Sequence, residues 1–494
     1  MLRKIRITLA AACFVLITGL FLDFTGALHG WLGWLAQAQL VPALLALNVG
    51  VLAVLVLLTL AFGRLYCSVL CPLGIFQDIA SRLSGLRKKR RFAYALPRRW
   101  LRWGALAAFA ACLVAGVSPV VALLEPYSAY GRVASQLLAP LYRWGNNGLA
   151  YLAERAGSYA FYPTEVWLKS GGALLVAVAT LGVIGFLAWR GGRTWCNTIC
   201  PVGTALGFLS RFAWLRVSID EEKCNACGQC ARRCKASCID SKAHKIDYSR
   251  CVACMSCLEK CKQGALRYAP RKFSLGGSAT KEAALPLNGR RNFLSVAALL
   301  SLGGVASAAE RVGDGGLALI GAKRAPRRTV PVVPPGALDA RRFAQRCTAC
   351  QLCVSACPNQ VLRPSAALTR FMQPELSFER GWCRPECTRC SEVCPSGAID
   401  RITPADKSAT QIGHAVWVKE RCVALHDGVT CTSCERHCPT GAIQLVRLGA
   451  DPKSPKTPVI DIERCVGCGA CEHLCPARPL SAIYVEGHER HKTV

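Results

Sequence analysis

Four long apolar runs dominate the first part of the chain. They lie near residues 7–28, 41–63, 102–124 and 171–189. Each run is long enough, as a helix, to cross a hydrocarbon core of ~30 Å, and the fourth is the shortest. The pattern predicts an α-helical membrane domain of four helices, and a weaker apolar run at 293–309 predicts a fifth crossing.

Basic residues are distributed unevenly around these runs. The segment 81–102 carries nine Arg or Lys and no acidic residue, and the N-terminus MLRKIR is basic, whereas the loop 28–40 has no Lys, Arg, Asp or Glu. Lys and Arg are enriched in cytoplasmic loops. We therefore predict that the N-terminus and the loop 64–102 are cytoplasmic and that 28–40 and 125–170 lie outside.

The composition excludes an ordinary soluble enzyme. Hydrophobic residues make up 52% of the 494 residues, and the formal net charge is +31. The basic cluster 87–91 could bind anionic lipid or nucleic acid, but a membrane protein also carries such charge as a topology signal. We favour the topology signal and predict no nucleic-acid partner.

The 31 cysteines are compatible with disulfides, metal sites or iron–sulfur clusters. Two predicted membrane helices end in matched motifs, YCSVLCPLG at 66–74 and WCNTICPVG at 195–203. Two related helix pairs facing each other would bring four thiols into one iron–sulfur or zinc site. The four are Cys67, Cys71, Cys196 and Cys200. Alternatively, Pro and Gly merely end the helices, and the cysteines are small buried residues.

Two further cysteines and one histidine in this domain carry no predicted chemistry. Cys13 and Cys112 lie singly within apolar segments, so we expect them only to pack. His29 is the only histidine of residues 1–210. One histidine is too few for a bis-histidine haem, so no haem is predicted.

Cysteine triplets begin after the membrane domain, with CNACGQCARRC and CVACMSCLEKC in the segment 211–270. Cysteines three apart can hold three corners of an iron–sulfur cube, and the last cysteine of the partner motif takes the fourth corner. This predicts set 1 as Cys224, Cys227, Cys230 and Cys261. It predicts set 2 as Cys251, Cys254, Cys257 and Cys234. Cys238 could replace Cys234 in set 2.

The tail 311–494 carries four further motifs, two of them with irregular spacing. Crossed pairing joins the first two motifs into one ferredoxin-like unit and the last two into another. Set 3 is Cys347, Cys350, Cys353 and Cys394, and set 4 is Cys383, Cys387, Cys390 and Cys357. Set 5 is Cys422, Cys431, Cys434 and Cys475, and set 6 is Cys465, Cys468, Cys471 and Cys438.

Zinc and disulfides are the alternatives for these motifs. Structural zinc sites usually need two Cys pairs separated by a longer loop, rather than triplets that end in Cys-Pro. Disulfides do not require such regular spacing. The sequence therefore predicts six 4Fe–4S clusters in α+β ferredoxin-like domains. The sequence contains neither a G-x-G-x-x-G after a predicted strand nor a Walker loop, so it shows no nicotinamide-binding or nucleotide-binding motif. We therefore predict that the six clusters transfer electrons along the chain.

Both halves of the chain resemble known families. Residues 1–270 resemble the NapH type of membrane polyferredoxin, related to NosR and CcoG, through CSVLCPLG, CNTICPVG and the paired cluster motifs. Residues 289–494 resemble the NapG (MauM-like) ferredoxins through RRNFL, VVPPGALDARRFAQRCTACQLCVSACP and CRPECTRCSEVCPSGAI. These types are normally separate proteins, so the chain resembles a fusion of the two.

The stretch GRRNFLSVAALLSLGGVASAAE, residues 289–310, has the layout of a twin-arginine export signal. The NapG likeness implies that such a signal exports a folded ferredoxin. We predict that Arg290 and Arg291 stay inside, that 293–309 crosses the membrane, and that the tail is periplasmic, with a possible cut at Ala308. The alternative is a linker helix, with everything cytoplasmic.

Four domains are thus predicted along the chain. They are a NapH-like membrane domain (1–210), a cytoplasmic two-cluster ferredoxin (211–270), a linker with the export signal (271–310) and a NapG-like four-cluster ferredoxin (311–494).

The resemblance implies a quinol dehydrogenase of the bacterial inner membrane. Electrons would pass from membrane quinol through the clusters to a periplasmic reductase or another acceptor. We assign quinol contact to the membrane domain, where EPYSAYGR at 125–132 places Glu125 at a helix end. Glu125 could accept a proton from quinol. Alternatively, this segment is a helix-end turn with tyrosine anchors.

Two other functions compete with this prediction. One is a cytoplasmic polyferredoxin that reduces a metal ion or maintains a metalloenzyme, as the CcoG likeness suggests. The other is a subunit whose clusters only feed a larger complex. If the protein oxidises quinol, electrons must cross ~30 Å of hydrocarbon between the two clusters of 211–270 and the four clusters of 311–494. The sequence offers no carrier there, unless a quinone or the four-cysteine site bridges the gap.

Overall fold

The computed structural model describes residues 1–87, 92–271, 312–314, 318–320, 322–449 and 454–493. We call residues 2–212 the bundle, 213–271 the first module and 322–493 the second module. The export signal with Arg290 and Arg291, the crossing 293–309 and the cleavage position Ala308 lie outside the described residues.

The bundle is built from fourteen described α-helices, several of them short. The first seven are α1 (Leu2–Leu22), α2 (Ala27–Leu32), α3 (Trp34–Gln37), α4 (Leu40–Leu45), α5 (Val49–Phe62), α6 (Leu65–Val69) and α7 (Pro72–Arg87). The others are α8 (Arg99–Val114), α9 (Ser118–Leu124), α10 (Pro126–Val133), α11 (Ala139–Arg155), α12 (Gly171–Gly191), α13 (Thr194–Thr198) and α14 (Pro201–Leu209). A π-helical turn, Ala134–Leu138, joins α10 to α11.

Two described helices, α1 and α12, are long and apolar enough to cross a membrane. The prediction of four continuous spans is therefore not confirmed. The second predicted run is divided between α4 and α5, because Leu47 has a positive φ and Asn48 caps α5 by accepting from the Val51 N–H. The third is divided between α8 and α9 at Gly116, whose φ is 72°. Hydropathy cannot detect such breaks, because the residues on either side remain apolar.

The predicted duplication around the Cys-x3-Cys-Pro motifs is visible in the backbone. Helices α5 and α12 each end at a glycine with positive φ, Gly63 at 76° and Gly192 at 70°. A left-handed conformation at this position favours glycine, and it turns the chain sharply at the helix end. Each glycine is followed by an arginine, a short helix with the first cysteine, and a helix that begins at the proline after the second cysteine.

The first module packs against one end of the bundle. Its elements are β1 (Leu215–Ile219), α15 (Gln229–Arg233), β2 (Ile239–Asp240), β3 (Lys245–Ile246) and β4 (Leu266–Pro270). Strand β1 pairs antiparallel with β4, and β2 pairs antiparallel with β3. The first and last strands of the module thus pair with each other, and the short β2–β3 hairpin lies between the two cysteine loops in the sequence.

A short strand pair precedes the second module and consists of β5 (Val312–Asp314) and β6 (Ala318–Ile320). The second module contains α16 (Ala340–Arg346), α17 (Leu352–Ala356), β7 (Leu362–Pro364), β8 (Pro374–Leu376), α18 (Arg389–Val393), α19 (Pro404–Ser408) and β9 (Thr410–Trp417). It continues with α20 (Val423–His426), α21 (Ser433–Arg436), β10 (Ile443–Arg447), β11 (Lys456–Ile460), α22 (Ala470–Leu474) and β12 (Ile483–Thr493). The antiparallel pairs are β7–β8, β9–β12 and β10–β11.

Helix α1 runs from one module to the other. Near its start, Arg3 forms an ion pair with Glu259 of the first module. Just beyond its end, the Phe24 carbonyl accepts a hydrogen bond of 3.4 Å from Arg389 of the second module. At 1.5 Å per residue, the 21 residues of α1 separate the modules by ~30 Å.

Helix α12 connects the same two modules in the opposite direction. Before it begins, the Lys169 ammonium donates to the Val354 carbonyl of the second module at 2.9 Å. After it ends, the Arg193 N–H donates to the Lys235 carbonyl of the first module at 2.9 Å. The two apolar helices therefore cross the same distance between the two modules.

Candidate metal centres

The cysteine loops share a local backbone pattern. In four of the motifs the residue before the second cysteine has a positive φ: Ala226, Ala253, Ala349 and Gly467. The residue after that cysteine does so as well: Gly228, Met255, Gln351 and Gly469. Alternating left-handed residues curl the loop, so that successive N–H groups point towards one concavity. Such a concavity suits a group with negatively charged sulfur atoms.

The structure brings the cysteines of set 1 around one cavity of about 100 Å³ in the first module. Its lining includes Cys224, Cys227, Cys230 and Cys261. Cys227 is exposed, so this cavity lies at the surface of the module.

The cysteines of set 2 lie between the first module and the bundle. Cys257 is close enough to Cys251, Cys254 and Cys234 to interact electrostatically with each. The spare thiol, Cys238, is also near: its sulfur lies 3.4 Å from that of Cys234. Cys238 interacts with Cys234 and Cys251, whereas Cys234 is near all three members of the triplet. This geometry favours Cys234 as the fourth ligand.

In the second module the crossed pairing predicted for sets 3 and 4 agrees with the positions of the thiols. Cys394 lies near all three members of the first triplet, Cys347, Cys350 and Cys353. Cys357 lies near Cys383 and Cys390. Cys353 and Cys390 also lie near each other, so sets 3 and 4 are neighbours.

Sets 5 and 6 show the same crossing. Cys438 lies near Cys465, Cys468 and Cys471 of set 6. Cys475 lies near Cys434 of set 5. The Cys383 N–H donates to the Cys468 carbonyl at 2.9 Å, which places set 6 beside set 4. The second module thus orders its sets as 3, 4, 6 and 5.

Set 3 faces the bundle. The Cys350 thiol lies near both Glu125 and Tyr127, and Gln136 donates to the Gln351 side-chain oxygen at 2.7 Å. A continuous apolar core extends from α1 through Tyr127 to Leu352. The bundle and the second module are therefore packed together at this point, next to the first cysteine triplet.

The four cysteines of the matched motifs come together at the other end of the bundle. All four are buried, and Cys200 lies near each of the other three, Cys67, Cys71 and Cys196. Several hydrogen-bond donors point at their sulfur atoms. Gln77 donates to Cys196 at 3.2 Å, and the Gly203 N–H donates to Cys200 at 3.3 Å.

Glu125 occupies a structural position. It is buried and caps α10, accepting from the Tyr127 N–H at 3.0 Å and also from the Ser128 N–H. Burial raises the pKa of Glu125, and the two N–H donors oppose this effect. The helix-end turn that the sequence offered as an alternative is present, so the role of Glu125 as a proton acceptor stays a prediction.

The donor sets fit iron–sulfur clusters chemically. Burial raises the pKa of Cys350 to about 12 and that of Cys383 to about 11. A thiol with so high a pKa becomes a ligand only when a metal displaces its proton. Among the described residues, no three or more His, Cys, Asp or Glu side chains are placed to hold a single ion. The corners of a cube bind four separate irons, so its cysteines stand farther apart.

The structure adds residues that the sequence analysis did not select. Arg64 and Arg193 precede the two matched motifs, and both are completely buried beside them. Asp78 of α7 lies between Arg193 and Lys235 of the first module. The repeated Gly-Arg before each motif, FGRLYC and GGRTWC, was a signal that could have identified the arginines.

Family models match parts of the chain that contain some of these cysteines. A model described as a 4Fe-4S binding domain matches residues 43–91 and again 172–219, which contain the two matched motifs. Another 4Fe-4S binding domain model matches 244–267, and a 4Fe-4S dicluster domain model matches 429–478. The predicted ferredoxin domains are confirmed at this level. No solved structure matches the chain.

Three curated relatives are ferredoxin-type proteins. NapG of Escherichia coli (strain K12) is 32% identical over 204 residues, covering 39% of this chain and 83% of that protein. NapF of the same organism is 30% identical over 158 residues, covering 31% and 86%. The methylamine utilization protein MauM of Paracoccus denitrificans is 34% identical over 150 residues, covering 29% and 65%. The chain therefore belongs to the family of ferredoxin-type proteins that includes NapG and NapF, and it is an iron–sulfur electron-transfer protein.

Proposed function

We propose that the chain is a membrane-bound quinol dehydrogenase, which passes electrons from quinol through six 4Fe–4S clusters to an acceptor on the other side of the membrane. The observation that carries this proposal is the path of α1 and α12. Both are long and apolar enough to cross a membrane, and both connect the first module to the second. A bilayer around them would place the two modules on opposite sides.

The same arrangement supports the fusion prediction. The basic N-terminus lies at the first module, which makes that module cytoplasmic by the positive-inside rule. The second module would then be periplasmic, and the internal twin-arginine segment would have exported it. The NapG-type part of the chain would serve as the outer ferredoxin and the NapH-type part as its membrane anchor and electron source.

A large cavity offers a place for the quinol. It has a volume of about 710 Å³, lies between α1 and α7, and is closed at one end by residues of the first module. Ile7, Ala11 and Phe14 line its apolar side, whereas Arg6 and Lys235 lie at its polar end. An apolar cavity with a few polar groups is the usual form of a small-molecule site. Ser256, between two ligands of set 2, also lines it, so the quinol ring would lie beside that set.

The chemistry balances as two single-electron steps. Quinol becomes quinone by losing two electrons and two protons, and each 4Fe–4S cluster, when bound, carries one electron at a time. Arg6 lines the cavity while its guanidinium also donates to Asp78 and to the Ser68 carbonyl, and it would donate a further hydrogen bond to a quinol oxygen. Glu125 does not line this cavity, so a quinol bound here would release its protons towards the open side, where solvent receives them.

A second function is favoured by the exposure of Cys227 in set 1. A surface cluster on the first module could accept electrons from a soluble donor, as in a polyferredoxin that supports metal reduction or metalloenzyme maintenance. The chain would then relay electrons as part of a larger complex without oxidising quinol.

The test has two parts. Purified protein in nanodiscs is mixed anaerobically with a reduced quinol analogue, and cluster reduction is followed by visible absorbance and EPR. We expect the clusters of the native protein to be reduced. Ile7→Trp, which fills the cavity, should slow this reduction at least ~10-fold, whereas Val15→Trp, at the rim of the cavity, should slow it less. Unreduced clusters would refute quinol oxidation. Separately, a C-terminal tag that protease cannot remove from intact spheroplasts would refute the periplasmic position of the second module.

A further inference from the structure

The four-cysteine site is surrounded by buried positive charge. Arg64 and Arg193 are each 0% exposed. Arg64 donates to the Asn197 side-chain oxygen at 2.8 Å, to the Ser249 and Cys196 carbonyls, and to the Cys67 sulfur at 3.8 Å. None of these partners is a carboxylate. Among these four acceptors, only the thiol of Cys67 can become an anion.

Asp78 balances only part of this charge. Its carboxylate lies 2.9 Å from Arg193, 3.1 Å from Arg6 and 3.5 Å from Lys235. One negative charge therefore faces three positive charges, and Arg64 adds a fourth. A buried charge without a counterion is costly. Thiolates bound to a metal centre would supply the missing negative charge at this position.

The two repeats enclose the site reciprocally. Arg64, from the first repeat, donates to the Cys196 carbonyl of the second repeat. Arg193, from the second repeat, donates to the Cys67 carbonyl of the first. Gly74 and Gly203 are required here, because a Cβ at either would meet the carbonyl of Cys67 or Cys196 at about 2.3 or 2.2 Å. This close packing holds the four sulfur atoms in one place.

The site also lies on a line between the two modules. On one side, Arg64 contacts Ser249 and interacts with Cys251 of set 2. On the other side, Tyr66 lies near Cys71 and also near Glu125, and its hydroxyl donates to the Gln39 side chain at 2.8 Å. Glu125 in turn lies near Cys350 of set 3. Buried groups therefore connect set 2 to set 3 through the four cysteines.

We infer that Cys67, Cys71, Cys196 and Cys200 together hold a seventh redox centre, an iron–sulfur cluster, which carries electrons across the bundle from set 2 to set 3. This inference deepens the proposed function and rests on it for the direction of flow. One electron enters from set 2 and one leaves to set 3, so no proton or bond change is required. Arg64 and Arg193 are positioning residues that balance the charge of this centre and raise its potential.

The first experiment counts iron. The double variant Cys67→Ser/Cys196→Ser is compared with Cys13→Ser/Cys112→Ser, whose cysteines lie in the bundle but outside the site. We expect the first variant to lose ~4 iron atoms per chain, as one cubane cluster contains, and the control to lose none. Unchanged iron in the first variant, or zinc in place of iron in the native protein, would overturn the inference.

A second variant covers the case in which the double variant does not fold. Arg64→Gln keeps all four cysteines and most of the hydrogen-bonding reach of the arginine. We expect unchanged iron content and a more negative midpoint potential for one centre in an EPR redox titration, with the other signals unmoved. If no signal moves, the charge argument is wrong.

The bridging role has its own measurement. With quinol analogue as the donor, Cys67→Ser/Cys196→Ser is expected to allow reduction of the first module while the second module stays oxidised. Equal reduction of both modules would refute the bridge. If the native protein takes no electrons from quinol, the proposed function fails, whereas the iron count and the potential of the centre still decide whether it exists.

Discussion

Replacement of Asp78 by Asn is the sharpest test of how the first module is held on the bundle. The carboxylate contacts Arg6, Arg193 and Lys235, and only the last of these is partly exposed. Removing one partner of a buried ion pair typically costs ~3–5 kcal/mol. Arg6 and Arg193 belong to the bundle, so of these pairs only the one with Lys235, which is 3.5 Å away and 19% exposed, breaks when the first module opens. We therefore expect about 1.5 kcal/mol, between the ~0–1 kcal/mol of an exposed pair and the ~3–5 kcal/mol of a buried one. Opening of the first module should then become roughly 10-fold more frequent.

Native-state proteolysis measures this opening directly. Detergent-solubilised full-length protein is cleaved under native conditions, and the rate at which fragments ending between 213 and 235 accumulate gives the open population. The matched control is Asp220→Asn, because Asp220 forms an exposed pair with Lys223 at 3.6 Å and should contribute less than ~1 kcal/mol. Equal cleavage rates in the two variants would refute the reasoning.

The same residue predicts a pH dependence. Burial alone would raise the pKa of Asp78, but Arg193, Lys235 and Arg6 hold it well below its usual range. A carboxyl group with a lowered folded-state pKa stabilises the protein above its unfolded-state pKa of ~4, and this stability is lost only as the pH falls further. The difference between native protein and Asp78→Asn should therefore stay constant from pH 7 to about pH 5. A difference that shrinks within this window would contradict the ion-pair explanation.

Three further predictions follow from single positions. Cys234→Ser should remove ~4 iron atoms per chain and Cys238→Ser none, as measured by iron analysis, and the reverse result would assign the ligand to Cys238. Burial lowers the pKa of His491 to about 4. The region around β12 should therefore lose up to ~3 kcal/mol of stability as the pH falls from ~6.5 to 4, because the buried imidazole must then take up a proton. Hydrogen exchange should show this pH dependence in the native protein and not in His491→Asn. Glu125→Ala should destabilise α10 by ~1 kcal/mol through loss of its cap, whereas Glu125→Gln, which keeps an acceptor oxygen, should do so less; unchanged quinol-driven cluster reduction in Glu125→Gln would reject its predicted role as proton acceptor.

The cysteine sets were predictable because their chemistry is local. Three cysteines at fixed spacing define a loop, and short-range backbone geometry forces that loop around a cube. Long-range information was needed only for the fourth member of each set. The sequence left Cys234 and Cys238 as alternatives, since both lie within five residues of each other. Their distances to Cys254 and Cys257 depend on how β2 and β3 fold back.

The continuous membrane spans predicted from hydropathy were not confirmed. Hydropathy averages over a window and does not register a single left-handed residue, so the breaks at Leu47 and Gly116 were missed. Glu125 shows a related limit. A carboxylate before Pro-Tyr-Ser suits both a helix cap and a proton acceptor, and only the positions of the Tyr127 and Ser128 N–H groups favour the cap.

By itself the sequence determined the type of protein: the cysteine spacing selected iron–sulfur chemistry, the matched motifs indicated an internal duplication, and the tail marked a NapG-like ferredoxin. Only the tertiary structure decided the order of the sets, the buried arginines around the four cysteines and the position of each module at one end of α1. These depend on contacts between residues more than 100 positions apart, such as Arg64 with Asn197 and Arg3 with Glu259. Such contacts arise from packing and charge balance within the folded chain, and local sequence patterns do not encode them.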